Sequence, residues 1–333
     1  MENLTFIVIV IGIALVFDFT NGVHDAANSV ATIVSTRVLS PRQAVIWAAF
    51  FNFISFLIFG LAVAKTVGKG LIDISVVTPL VIFGGLLGAI SWNLITWYFG
   101  IPTSSSHALI GGYAGSAIAQ SGFGVIVVSG WYKTLAFIVL APAIGMILGV
   151  IFLILSTWSV HKQTPDFVNR WSRRLQLFSA ALYSLGHGGN DAQKTMGIIT
   201  GVLFAGGLIQ TFTVPFWVVI SCHFVIAVGT MMGGWRIIKT MGQKITDLRP
   251  IDGSCAETAS AISIFLATYL GVPVSTTHII TGAISGVGAA KRFSAVRWGV
   301  TLRIVWAWLL TIPCAAIIGG ALYLISDAVR KSF

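Results

Sequence analysis

Four short segments of this 333-residue chain hold most of the side chains able to do chemistry. Two carry charge among small or apolar residues: NGVHDAANS, Asn21 to Ser29, and HGGNDAQKT, His187 to Thr195. Two carry hydroxyls behind a Gly-x-Pro: FGIPTSSSHALIGG, Phe99 to Gly112, and LGVPVSTTHIITGA, Leu270 to Ala283. Carboxylate and amide oxygens are hard ligands suited to Na⁺, and Asp, Glu and His side chains exchange protons. Hydroxyls and free backbone N–H groups at a helix start attract anions. The combination points to an anion site beside a cation or proton site. Asp18, Asp25, Asp191, Lys194 and Glu257 stand in stretches apolar enough to lie in a bilayer, where a charge costs about 2.5–3.5 kcal/mol. Helical spacing puts Asp18 and Asp25 on one face, brings Asn28 beside His24 and Asp25, and lets Asp191 pair with Lys194. A closed ion-pair network would satisfy the same charges without a ligand. His107 and His278 bind substrate, relay protons or hydrogen-bond a helix backbone.

The segments come in matched pairs. Aligning Asp25 with Asp191, 166 residues on, also pairs Gly22 with Gly188, Ala26 with Ala192 and Ser29 with Thr195. An offset of 171 places Gly100, Pro102, Ser104, His107 and Gly111 on Gly271, Pro273, Ser275, His278 and Gly282. Such duplication is how many secondary transporters are built, with the substrate site where the repeats meet. In each second motif, Gly-x-Pro breaks a helix and only a short Gly-rich apolar stretch follows, which predicts a re-entrant or discontinuous helix. Pro is expected in its first turn and Ser or Thr as its cap.

The elements that hold these motifs must lie in a membrane. Hydrophobic residues make up 56% of the chain and charged residues 9%. Mean hydropathy is +0.92. Soluble domains carry about 25% charged residues. Continuous apolar runs, such as Leu4 to Phe17 and Leu135 to Leu155, predict spanning helices rather than the alternation of a barrel. No basic residue precedes the first run and no small-x-small cleavage site follows it, so it reads as a retained helix. The net charge of +10 is scattered over short connections. It fits anionic headgroups and the positive-inside preference rather than nucleic acid. We read residues 1–158 as the first transmembrane repeat, 159–176 as a basic polar connecting loop and 177–333 as the second repeat. Cys222, Cys255 and Cys314 lack metal spacing and read as small core residues.

Taken together and in order, the four motifs closely resemble the signatures of the PiT family of inorganic phosphate transporters, from about Phe17 to Gly286. The resemblance implies an all-α, polytopic protein of the cell inner (plasma) membrane with two inverted-topology repeats and two re-entrant helical hairpins. It also implies phosphate bound between the hairpins, a coupling cation and a homodimer. Carried over by motif, Asp25, Asn28, Asn190 and Asp191 belong to the substrate and cation site. Ser104, Ser105, Ser106, Ser275, Thr276 and Thr277 are the hydroxyls expected around phosphate, and Glu257 matches an acidic residue before the second hairpin. Asp18, His24, His107 and His278 join Asp25, Asn28, Asp191 and Glu257 as candidates for cation or proton coupling.

The departure from the family pattern is Lys194, which stands where sodium-coupled members tend to carry a second Asn. Its ammonium would replace a bound sodium ion or offset phosphate charge. This favours proton coupling, with phosphate or its neutral metal complex as cargo. In the alternative, sodium, the ligands are Asp25, Asn28 and Asp191. No cofactor beyond the coupling ion, H⁺ or Na⁺, is expected. Sulfate is the alternative substrate, and an anion channel the rival of another class. An intramembrane hydrolase built on Ser106 and His107 is disfavoured, because adjacent helix residues do not face each other.

Overall fold

A computed structural model describes residues 4–332. Among them are twelve α-helices joined by short turns, and no β-strand. In order these are α1 (Leu4–Ser35), α2 (Pro41–Ile54), α3 (Ala62–Lys69), α4 (Pro79–Phe99), α5 (Ser105–Ser121) and α6 (Val128–Ser159). There follow α7 (Pro165–Ala205), α8 (Phe216–Met232), α9 (Trp235–Gln243), α10 (Pro250–Tyr269), α11 (Thr276–Lys291) and α12 (Trp298–Ser332). The second six repeat the first: a long motif helix, a bent pair, a hairpin and a long apolar helix. Helices α1, α4, α6 and α12 are long and apolar enough to cross a membrane. The segments Pro41–Leu57 plus α3, and α8 plus α9, pass the same test together but bend by 87° and 73°.

The hairpins are α4–α5 and α10–α11. At 17 and 16 residues, α5 and α11 extend only about 25 Å, short of a bilayer's hydrocarbon core. Each break has the same construction. Gly100 ends α4 with φ at 66°, and Gly271 follows α10 with φ at 68°. Around them Ile101 N–H donates to Thr96 O, and Val272 N–H to Ala267 O, both at 2.9 Å. That left-handed turn is open to glycine at little cost. Ser104 and Ser275 then cap α5 and α11, their Oγ atoms accepting from His107 N–H at 3.1 Å and His278 N–H at 3.2 Å. The prolines are not in the first turn as expected. Pro102 and Pro273 lie two residues before the caps, in the link that the turn leaves extended.

The halves brace each other. Helix α5 packs on α12 and α11 on α6. A Cβ on Gly149 of α6 would lie 2.7 Å from Ala283 O. Thr240 of α9 donates to Gly100 O at 3.0 Å, while Thr66 of α3 donates to Gly271 O at 2.7 Å. The motif glycines do likewise: a Cβ on Gly22 would come within 3.1 Å of Gly229 Cα on α8, and one on Gly188 within 2.7 Å of Asn52 Cα on α2. The expected connecting loop over 159–176 is mostly helix. Thr164 caps α7, Pro165 and Asp166 open it, and it runs unbroken for 41 residues, roughly 60 Å. That is about twice a bilayer core, so the turn bearing Arg170, Arg173 and Arg174 stands beyond the apolar span.

Candidate functional site

The starts of α5 and α11 meet the middles of α1 and α7 at one buried place. Helix starts leave their first N–H groups without intrahelical partners. Here both starts, with Ser105, Ser106, Thr276 and Thr277, are at most 3% exposed. Ser105 Oγ donates to Asp25 Oδ1 at 3.2 Å, and Thr276 Oγ1 to Asp191 Oδ2 at 3.4 Å. Asn28 Nδ2 crosses to the second hairpin, donating to Thr277 Oγ1 at 2.9 Å and Thr276 Oγ1 at 3.4 Å. Lys194, the counterpart of Asn28, reaches both hairpins. Its ammonium donates to Asp191 Oδ1 at 2.6 Å, to Val274 O at 2.8 Å and to Ser106 Oγ. Those bonds use all three of its protons.

Each central carboxylate also has an imidazole. His24 Nδ1 lies 2.7 Å from Asp25 Oδ1, with Nε2 held between Thr96 Oγ1 and Thr103 Oγ1. His187 Nε2 lies 3.3 Å from Asp191 Oδ2. The tautomer of His187 follows from its surroundings. Thr230 Oγ1 donates to Ile226 O at 2.9 Å, so it accepts from Asn52 Nδ2 at 3.0 Å. Asn52 Oδ1 is thereby turned to His187 Nδ1 at 3.2 Å, which must carry the proton. Nε2 is left facing the carboxylate, open to a second proton or a cation. Ligand atoms of Asp25, His187 and Asp191 lie within 4.8 Å of one another, a spacing at which one ion could touch all three.

Other residues singled out by sequence lie apart. Ser104 and Ser275 spend their oxygens as caps. Asn190 turns to Thr268 Oγ1 at 2.8 Å and Val272 O at 3.4 Å, beside the second break. Asp18 accepts from Thr195 Oγ1 at 2.9 Å, one α7 turn from Asp191. His107 and His278 meet edge to face behind the hairpin starts, centroids 4.8 Å apart, and His278 stacks on Trp308 at 3.9 Å. Trp308 Nε1 in turn donates to Pro102 O at 3.1 Å. Ser106 and His107 diverge, one toward Lys194 and the other toward His278. Glu257 has its own polar nest of Thr32, Gln176 and Ser179. His187 was not among the sequence candidates, although its i, i+4 spacing to Asp191 is the signal used at His24 and Asn28.

With both carboxylates ionised, Lys194 cancels only one of two charges. An anion entering between the helix starts therefore needs protons or cations beside it. An all-helical membrane chain whose two halves each give a charged helix and a hydroxyl-tipped hairpin to one buried site has the construction of a transporter.

Its relatives narrow the class. The model of the phosphate transporter family matches residues 21–170 and 159–319, and the chain belongs to that family. It is 60% identical over 320 residues to a probable low-affinity inorganic phosphate transporter of Rhizobium meliloti, covering 96% of both chains. Similarity to the protein so described in Bacillus subtilis is 44% identity over 333 residues, covering 99% of this chain and 100% of the relative. A Mycobacterium tuberculosis counterpart is 43% identical over 328 residues, 96% of this chain and 78% of the relative. Among solved structures, one described as the sodium-dependent phosphate transporter shares the fold, with a TM-score of 0.88 at 24% identity, over 98% of this chain and 100% of that one.

Proposed function

We propose that the protein takes up inorganic phosphate by secondary active transport with protons as the coupling ion. The observation that carries this reading is Lys194, held between the hydroxyl-bearing starts of α5 and α11. Phosphate is matched by what those starts and Lys194 offer: N–H and O–H donors, the positive ends of helix dipoles and an ammonium. The names of the bacterial relatives support the substrate. Entry of phosphate would pull Lys194 from Asp191 and free Ser106, so Asp191 then requires a new partner. His187 Nε2, already beside it, holds the nearest proton or cation position.

Coupling answers an energetic need. Moving one net negative charge inward against 100 mV costs about 2.3 kcal/mol. Co-bound protons cancel that cost and link uptake to their own gradient. In the second reading sodium fills this role, and the grouping of Asp25, His187 and Asp191 atoms within 4.8 Å favours it. Placement in the inner membrane and assembly as a homodimer belong to the same proposal.

Proteoliposomes separate these readings. Labelled phosphate should accumulate under an inward proton gradient without sodium, and arsenate should compete better than sulfate. Strict sodium dependence at every pH would overturn proton coupling. Better competition by sulfate would overturn the substrate, and anion current without accumulation would mean a channel.

A further inference from the structure

Glu257 is fully buried on α10, and no lysine, arginine or histidine pairs with it among the described residues. Hydroxyls and an amide surround it instead. Thr32 Oγ1 lies 2.5 Å and Gln176 Nε2 3.0 Å from Oε1, and Ser179 Oγ lies 2.5 Å from Oε2. The amide is oriented by Thr36, whose Oγ1 donates to Gln176 Oε1 at 2.8 Å and also lies 3.2 Å from Ile33 O. In this arrangement Gln176 donates to Glu257. Ser179 differs, since its hydroxyl has a second acceptor in Gln176 O at 3.3 Å. With the carboxylate ionised, Ser179 donates to Oε2. With Oε2 protonated, the acid donates to Ser179 Oγ, whose own hydrogen swings to Gln176 O. Both protonation states keep every polar atom bonded, which a buried group that gains and loses a proton requires.

The place of Glu257 along the helices fits this use. Thr32 is seven residues beyond Asp25 on α1, and Ser179 is twelve before Asp191 on α7. Glu257 thus lies roughly 10–18 Å from the central carboxylates, toward the end of α7 that carries Arg170, Arg173 and Arg174. Tyr183 stands between. Its hydroxyl lies 3.4 Å from Thr276 O, and its ring runs parallel to that of His187, centroids 6.4 Å apart.

We infer that Glu257 is the seat of the coupling proton, taken up and released by the Ser179 hydroxyl switch as α10 moves with its hairpin. The inference rests on the proton-coupled reading of function. The other titratable residues on the elements around it are Asp252, Cys255 and Tyr269 on α10, and Asp18, His24 and Asp25 on α1. Helix α7 adds Asp166, Arg170, Arg173, Arg174, Tyr183, His187, Asp191 and Lys194; α11 adds His278 and Lys291; α6 adds Tyr132 and Lys133; α3 adds Lys65 and Lys69. Asp252 is held by Arg249 and Lys291, and Asp191 by Lys194, so each already has its counter-charge.

The test compares wild type, Glu257→Gln and Ser179→Ala in proteoliposomes. It measures gradient-driven accumulation of phosphate, phosphate counterflow at equal pH, and phosphate-driven proton movement. Glutamine mimics the protonated acid, its amide donating to Ser179. Glu257→Gln should keep counterflow while losing proton movement and gradient-driven accumulation. Ser179→Ala removes a donor to the carboxylate and should raise the midpoint of the pH–uptake profile by about one unit. Wild-type proton movement with an unchanged Glu257→Gln overturns the inference and leaves proton coupling standing. Loss of counterflow in a folded Glu257→Gln overturns it too, since the carboxylate is then needed for phosphate or for structure. Absence of proton movement in the wild type fails the functional reading itself. Should Glu257→Gln not insert, an unmoved profile in Ser179→Ala overturns the inference alone.

Discussion

Replacing Lys194 with alanine removes one ammonium and three hydrogen bonds at once. Asp191 loses its 2.6 Å partner, Val274 O its 2.8 Å donor, and Ser106 its link to α7. His187 at 3.3 Å is the remaining basic neighbour of Asp191. Breaking one side of a buried ion pair costs about 3–5 kcal/mol, because the other charge is left without compensation. At 1.36 kcal/mol per decade, that is roughly two to four orders of magnitude if the loss falls on the phosphate-loaded state. The α7 backbone does not depend on the lysine, so the variant should insert normally. The assay is initial uptake rate in proteoliposomes against pH and sodium, with thermal melting in detergent as the folding control. Lys194→Ala should lose uptake by at least a hundredfold with its melting transition still cooperative. Lys194→Asn restores the Asp-x-x-Asn spacing of Asp25 and Asn28 and should recover part of the uptake as a sodium-dependent component. Full activity in Lys194→Ala would refute the assignment of the lysine to phosphate and to charge compensation.

Other outcomes follow from the same geometry. Ser105→Ala and Thr276→Ala each delete one hydroxyl donor at a hairpin start and should raise the KM for phosphate, by a free energy of about 1.5–3 kcal/mol where the bond to the anion is direct. An unchanged KM in both would move the anion elsewhere. Gly271→Ala forces a side chain into φ of 68° with its Cβ 3.2 Å from Ala62 Cβ; it should destabilise by about 1–2 kcal/mol, read as a lower melting temperature. Cysteines at Thr103 and Val274, in a background without Cys222, Cys255 and Cys314, should label from opposite faces during transport. Labelling of both from a single face would count against inverted repeats.

Much of the site was legible because membrane chains hide few charges. The pairing of Asp191 with Lys194 follows from i, i+3 spacing alone, and the caps at Ser104 and Ser275 from hydroxyl type and helix start. Contacts between distant segments were not legible. Nothing in the spacing of Asn28 says that it reaches Thr277 rather than Asp25, and nothing near Glu257 names Thr32 and Ser179 as partners. The first turns of α7 resembled a loop because Arg170, Arg173 and Arg174 outweigh the apolar residues around them. The Thr164-Pro165-Asp166 start was the contrary signal. The loop expectation leaves Gln176, a buried partner of Glu257, outside the membrane core. The first-turn expectation for Pro102 and Pro273 failed because the left-handed glycine turn needs extended chain before the next helix can begin.

The crosswise bracing of the halves sets conditions on biosynthesis. The first hairpin rests on α9 and α12 as well as on α1, so when it leaves the ribosome its tip can meet only Asp25 and His24 among its final partners outside the hairpin. The start of α12 follows the start of α5 by roughly 190 residues. At about 5–20 residues per second, that is a wait of some 10–40 s. During it the face of α5 that α12 covers stays open, and Ser106 waits for Lys194 of α7. The first half is therefore an unfinished object by itself, and α12, made long after α5, closes the first hairpin. A chain cut in the short turn between α6 and α7 should regain function only when both fragments are made together in the same membrane.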